Sequence, residues 1–214
     1  MPRITAKICG LSTPETLDAA VAGGASHIGL VFFPKSPRHV QFGQAAALAQ
    51  RVPAHVLKAG VFVDPDDALL DAAIAAGGLD VIQLHGKEAP ERAAAVKARS
   101  GKEVWKALHV RTSLDLAGAG SYRGAADRLL YDAKTPEGAD LPGGMGLRFD
   151  WRLLQGFSHP LAWALSGGLD AANVGEAVGI TGAALVDVSS GVESAPGIKD
   201  VDKIAAFLKA TAQL

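Results

Sequence analysis

The sequence holds one cysteine, Cys9, at the end of the apolar run "ITAKIC" (4–9) and just before Gly10. A single thiol forms no internal disulfide and builds no structural metal site on its own. It either packs as a small hydrophobe or works as a thiolate base. Lys7 stands two residues earlier with the same strand parity, placed to lower the thiol pKa. Asp132 falls near the end of another apolar run, "DRLLYDA" (127–133). A thiolate base and a carboxylic acid facing each other across a bound molecule would move protons in two directions. Taken singly, Cys9 reads as a buried thiol and Asp132 as a turn cap; together they suggest acid–base chemistry.

Other groups fit around this pair. Lys35 and Arg38 lie on the Pro-stiffened stretch "FFPKSPRHV" (32–40), where a guanidinium fork suits a carboxylate bidentately. Gln83 and His85 end the run "DVIQLH" (80–85), and Asp187 lies in "ALVDVS" (184–189). With Lys7, they are expected to face a substrate. Gly167 and Gly168 in "LSGGLDAANV" (165–174), and Ser189, Ser190 and Gly191 in "VDVSSGVE" (186–193), form two turns of small residues. Glycines let backbone N–H groups approach an anion, and a helix N-terminus adds partial positive charge. The two turns therefore predict a phosphate cradle, with ordinary turn glycines and capping serines as the alternative. His39, His109 and His159 show no metal-ligand spacing with any partner, and no metal site is expected.

Eight short β-rich runs would position these groups: residues 4–9, 27–33, 55–63, 80–85, 103–110, 127–133, 160–167 and 184–189. Their near-continuous apolarity is that of strands buried on both faces. Helical spacing fills the gaps, as in Leu17, Ala20, Val21 and Gly24, in Ala45, Leu48, Ala49 and Val52, and in Val201, Ile204, Phe207 and Leu208. Thr13 before Pro14, and Asp64 before Pro65, read as helix N-caps. Glycines at 23–24, 77–78 and 101 fall where helices should stop. Strict βα alternation forces parallel pairing with right-handed crossovers. Eight strands and eight helices predict one α/β domain over residues 1–214, a closed (β/α)8 TIM barrel with an eight-stranded parallel sheet. A doubly wound open sheet is the alternative, but "CGLSTP" is no dinucleotide fingerprint. The long connection at about 134–149 reads as a lid. In a barrel the active site lies at the C-terminal strand ends, where the polar and titratable residues named above cluster.

The totals exclude other classes. Lys and Arg number 21 against 22 Asp and Glu, with no basic stripe, which argues against nucleic acid as a partner. No apolar run approaches the roughly 20 residues of a membrane span, and the start lacks the apolar core of a signal peptide. A cytoplasmic protein is expected, leaning towards a monomer because the outer helices carry few large apolar residues.

The stretches "KICG" (7–10), "FFPKSPRHV" (32–40), "GVFVD" (60–64), "VIQLHG" (81–86), "LYDAK" (130–134), "GGMGLRFDW" (143–151), "LSGGL" (165–169) and "VDVSSGVESAPGIKD" (186–200) occur in one order across the chain. In that set and order the sequence resembles the phosphoribosylanthranilate isomerase family of tryptophan biosynthesis. The resemblance implies a cofactor-free (β/α)8 barrel. It also implies an Amadori rearrangement of N-(5-phosphoribosyl)anthranilate to 1-(2-carboxyphenylamino)-1-deoxyribulose 5-phosphate. On the matching positions, Cys9 is then the general base, Asp132 the general acid and Arg38 the partner of the anthranilate carboxylate. Gly167, Gly168, Ser189, Ser190 and Gly191 hold the phosphate.

Overall fold

Each of the eight apolar runs forms a strand: β1 (Thr5–Cys9), β2 (His27–Val31), β3 (Leu57–Phe62), β4 (Val81–Leu84), β5 (Glu103–Val110), β6 (Arg128–Ala133), β7 (Ala162–Leu165) and β8 (Leu185–Val188). The computed structural model, which describes residues 4–136, 138, 141 and 143–214, pairs each strand in parallel with the next. β8 returns to β1 with Lys7 opposite Asp187, and the sheet closes into a barrel. Of the connection at 134–149, Glu137, Ala139, Asp140 and Pro142 lie outside the described residues.

Continuous apolarity is needed because both faces of each strand are covered. Side chains of one parity, such as Ala59, Trp105, Ala107, Leu130 and Ala164, fill the barrel interior, with one indole among aliphatic side chains. The other parity packs outwards on α1 (Pro14–Ala22), α2 (Phe42–Ala49), α3 (Asp67–Gly77), α4 (Pro90–Ser100), α5 (Val174–Thr181) and α6 (Val201–Ala212). Thr13 caps α1 by accepting the Thr16 N–H, with Pro14 in the first turn. Gly78 and Gly101, both at positive φ, end α3 and α4. Among the described residues no helix is long and apolar enough to cross a membrane.

Two expectations are corrected, and a third feature is one the sequence did not announce. The connections after β5 and β6 carry 3-10 segments, Ser113–Tyr122 and Trp151–Leu154, where α-helices were expected. Gly118 and Gly120 weaken the first as a helix former. The second is one short turn before Gly156, which takes φ 72°. An aromatic group of Tyr131, Phe157, His159 and Trp163 packs there, with His159 stacked on Trp163 at 4.2 Å. Secondly, Asp66 caps α3, accepting the Leu69 N–H at 2.8 Å. Asp64 instead takes φ 45° and accepts the Lys87 N–H at 2.7 Å, tying the β3 exit to the β4 exit. Thirdly, an antiparallel hairpin of β9 (Glu193–Ala195) and β10 (Ile198–Lys199) follows β8, and it brings two charged residues to the barrel mouth.

The rim of the barrel is fastened by a buried ion pair. Lys106 Nζ donates to Glu88 Oε2 at 2.9 Å and to the Gly86 carbonyl at 2.8 Å. Glu88 Oε1 accepts the N–H groups of Asp64 and Gly86 at 2.8 and 3.0 Å. Glu88→Ala would leave a buried ammonium without its counter-charge and two N–H groups without an acceptor. Removing one partner of such a pair costs about 3–5 kcal/mol. The expected result is a urea midpoint lowered accordingly with an unchanged slope; an unmoved midpoint would mean the pair contributes nothing.

Candidate active site

β1 and β6 deliver the two central groups. Parity turns Cys9 and Asp132 inwards at their strand ends, and both line one cavity at the C-terminal mouth. Gln83, His85 and Asp187 line it from the ends of β4 and β8, and Arg38 closes one side. Gly167, Gly168, Ser189 and Ser190 line it from the turns after β7 and β8. Gly167 needs its missing side chain: it sits at φ 91°, and a Cβ there would lie 2.8 Å from the Ala133 nitrogen.

Three expected site residues lie elsewhere. Lys7, fully buried, is one layer below the cavity because it precedes Cys9 by two residues on the same face. It touches the site only through others, donating to Asp187 Oδ1 at 3.0 Å. Gly191 is not among the lining residues; it packs so closely on the Leu169 carbonyl that any Cβ would overlap it. Lys35 is exposed and outside the cavity.

The electrostatics around Cys9 differ from a simple lysine-activated thiol. Burial pushes the thiol above its ordinary value; Lys7 and Lys199 pull it down, while Asp187 pushes it up again. Lys7 does act in the expected direction, but its charge is already engaged by Asp187, and burial outweighs it. Burial also pushes Lys7 down, yet Asp187 and Cys9 together hold it above its ordinary value, so it stays an ammonium.

Asp132 is 5% exposed, with Oδ1 accepting the Ala133 N–H at 2.8 Å and Oδ2 lying 3.1 Å from His85 Nε2. His85 Nδ1 lies 3.0 Å from the Gln83 side-chain nitrogen. Gly143, from the 134–149 connection, rests directly on this pair: a Cβ there would be 2.6 Å from both Asp132 Oδ2 and His85 Nε2. The next residue, Gly144, accepts from Arg38 Nη2 at 2.9 Å through its carbonyl.

Arg38 is anchored by a residue that sequence reasoning did not single out. Its Nε and Nη2 donate to the two Glu193 carboxylate oxygens at 2.6 and 2.7 Å. Lys199 Nζ donates to Glu193 Oε1 at 2.8 Å and to the Ser189 carbonyl at 2.8 Å. Burial pushes the Glu193 carboxyl up, but Arg38 and Lys199 hold it below its ordinary value. The guanidinium is thus fixed in plane, and among the described residues its Nη1 has no acceptor. Glu193 and Lys199 both lie in "VDVSSGVESAPGIKD", but nothing in the sequence assigned either a partner 155 or six residues away.

The fold also unites groups that linear spacing separates. One ring nitrogen from each of His85 and His109 and a carboxylate oxygen of Asp132 lie within 4.8 Å of one another, a donor set suited to a divalent transition metal. Burial lowers the His109 pKa to about 4, so its imidazole is neutral at pH 7. The expectation of no metal site rested on spacing along the chain, which cannot register residues brought together by adjacent strand ends.

Known proteins share this framework. A family model described as N-(5'phosphoribosyl)anthranilate (PRA) isomerase matches residues 6–210. The N-(5'-phosphoribosyl)anthranilate isomerase of Zymomonas mobilis subsp. pomaceae is 62% identical over 208 residues, covering 97% of each chain. That of Paracoccus denitrificans is 56% identical over 212 residues, covering 99% of each. The crystal structure of phosphoribosyl anthranilate isomerase from Thermotoga maritima superimposes with a TM-score of 0.87 at 36% identity, covering 99% of this chain and 100% of that one. A crystal structure of such an isomerase in complex with reduced 1-(o-carboxyphenylamino)-1-deoxyribulose 5-phosphate gives a TM-score of 0.84 at 33% identity with the same coverage.

Proposed function

The chain belongs to the N-(5'-phosphoribosyl)anthranilate isomerase family, and from that premise we propose how its barrel mouth performs the reaction. The protein is an isomerase of tryptophan biosynthesis, converting N-(5-phosphoribosyl)anthranilate to 1-(2-carboxyphenylamino)-1-deoxyribulose 5-phosphate. Carbon 1 of the sugar is reduced and carbon 2 oxidised within one molecule, which makes the reaction an intramolecular oxidoreduction.

Asp132 acts as the general acid. It protonates the ribose ring oxygen as the C1–O bond breaks, and the anilino nitrogen lone pair forms the C1=N bond of a Schiff base. Cys9, as thiolate, then takes the C2 proton, giving an enolamine that tautomerises to the ketone. The observation that carries this reading is that Cys9 and Asp132, from the ends of β1 and β6, line one cavity with a fixed cation and two small-residue turns. Gly167, Gly168, Ser189 and Ser190 are the phosphate contacts, with Gly191 closing the turn behind them. Asp187, Gln83 and His85 line the sugar's path, and Lys7 contributes by holding Asp187.

Arg38 takes the anthranilate carboxylate on the edge that Glu193 leaves open. A hydrogen bond to a charged group contributes about 1.5–3 kcal/mol, so Arg38→Ala should raise KM roughly ten- to a hundredfold. Glu193 keeps Lys199 as partner in that variant, and circular dichroism should match the parent. Following the loss of anthranilate-adduct fluorescence measures KM; an unchanged value would remove Arg38 from this role.

The 134–149 connection serves as a lid on the single barrel domain. Gly143 and Gly144 rest on the acid and on the arginine, so these two residues cover groups that must be shielded from water while the Schiff base exists. A monomer is part of the reading, since Phe42, Leu114 and Ile198, three of the large apolar side chains exposed among the described residues, sit on separate elements. So is a cytoplasmic setting, which keeps the free Cys9 thiol reduced.

A further inference from the structure

We propose that His85, His109 and Asp132 form a site for a divalent transition metal ion of the zinc type, and that the ion, by claiming Asp132, reversibly inhibits the isomerase. The three come from neighbouring strand ends: His85 directly after β4, and His109 opposite Asp132 in the β5–β6 register. Their donor atoms lie within 4.8 Å of one another. Donors on one tetrahedral zinc, at bond lengths of about 2.0–2.1 Å, stand roughly 3.4 Å apart, a contraction within reach of side-chain rotation. Two imidazoles and one carboxylate with a fourth position open to the cavity is a zinc-type set, and imidazole donors disfavour magnesium and calcium.

Each donor already has the outer partner that a metal ligand needs. His109 Nε2 lies 3.2 Å from the His85 carbonyl, which can only accept, so that nitrogen carries the proton. The His109 Nδ1 lone pair is then left buried with no partner among the described residues. Gln83 meets His85 Nδ1 through its amide nitrogen at 3.0 Å, while its own Oε1 is buried and unpartnered. Turning that amide over lets Oε1 accept an Nδ1–H, which leaves the His85 Nε2 lone pair directed towards Asp132. Asp132 Oδ1 is held by the Ala133 N–H, so Oδ2 is the oxygen on offer. A cation bound by His109 Nδ1 therefore accounts for that orphaned buried atom, and outer-shell bonds of this kind orient metal-binding histidines generally.

Inhibition rests on the role of Asp132 given above: a carboxylate bound to metal holds no proton to give the ribose oxygen. Calorimetric titration with zinc chloride tests binding without reference to catalysis. One zinc ion per chain is expected for the wild type and for Cys9→Ser alike, with at least tenfold weaker binding in His109→Asn. Cobalt(II) on the wild-type chain should give visible ligand-field bands and no near-ultraviolet sulfur-to-cobalt band. In the fluorescence assay, zinc should compete with substrate and be reversed by chelator, with an inhibition constant at least tenfold weaker in His109→Asn relative to that variant's own metal-free rate. Absence of binding, a sulfur-to-cobalt band, loss of zinc in Cys9→Ser, or unweakened binding in His109→Asn would each overturn the site. Zinc bound without competition would overturn its inhibitory role. Full activity in Asp132→Asn would refute the acid assignment and leave the calorimetric result standing.

Discussion

Cys9→Ala is expected to fold as the parent does and to lose about 10²- to 10⁴-fold in kcat, the range a positioned general base supplies. The apolar neighbours of the thiol are Val31 and Val61 with Phe33 beside them, so its removal trims a small apolar contact and leaves the Lys7–Asp187 pair beneath it in place. Stability should therefore fall by no more than about 1 kcal/mol. The surrounding charges also set a pH signature. Burial and Asp187 raise the thiol pKa against the pull of Lys7 and Lys199. The base must be deprotonated to act, so a raised pKa moves the rising limb of kcat/KM to higher pH than an unperturbed thiol would give. That limb should vanish in Cys9→Ala. Near wild-type turnover in the purified variant, or an unaltered rising limb, would remove Cys9 from the mechanism.

Asp132→Asn is the second large effect, again about 10²- to 10⁴-fold in kcat. An amide keeps the shape of the carboxyl group and can still meet His85 Nε2 and the Ala133 N–H, so the fold and the cavity should survive. What it lacks is a transferable proton. Ring opening, rather than proton abstraction from C2, is the step that should fail, and substrate with a deuterium at C2 separates the two. In Cys9→Ala the residual rate should show a primary isotope effect, and in Asp132→Asn it should not. A full isotope effect in Asp132→Asn would place the acid elsewhere. Because both groups act on one substrate in sequence, the double variant should be little worse than the slower single one.

What could be read from the sequence and what could not divide along a physical line. Strand runs were legible because burial on both faces demands unbroken apolarity, and "EVWKALHV" matches β5 residue for residue. Helix stops at Gly78 and Gly101 were legible because left-handed backbone there favours glycine. Local competition was less legible: Asp64 and Asp66 both stand beside the α3 start, and only the bond from Lys87 on the next loop decides which of them caps. Long-range pairings were not legible at all. Nothing near Arg38 in the chain announces Glu193, and nothing near Lys7 announces that its charge belongs to Asp187 as much as to Cys9. His109 looked isolated for the same reason. Candidate groups at strand ends can be listed from a barrel pattern, but their partners depend on register and on loops that the pattern does not encode.

The closure of β1 against β8 has a consequence for how the protein is made. Lys7 and Asp187 are 180 residues apart. At a synthesis rate of about 5–20 residues per second, the first strand leaves the ribosome roughly 10–40 s before the strand that completes its ladder. During that interval β1 has an unpaired edge, and its lysine has no counter-charge to accompany it into an interior. Glu193 and Lys199, which fix Arg38, arrive later still. A nascent chain is therefore without a finished mouth until nearly its last helix has emerged, and the charge on Lys7 keeps the waiting edge from pairing with a neighbouring chain.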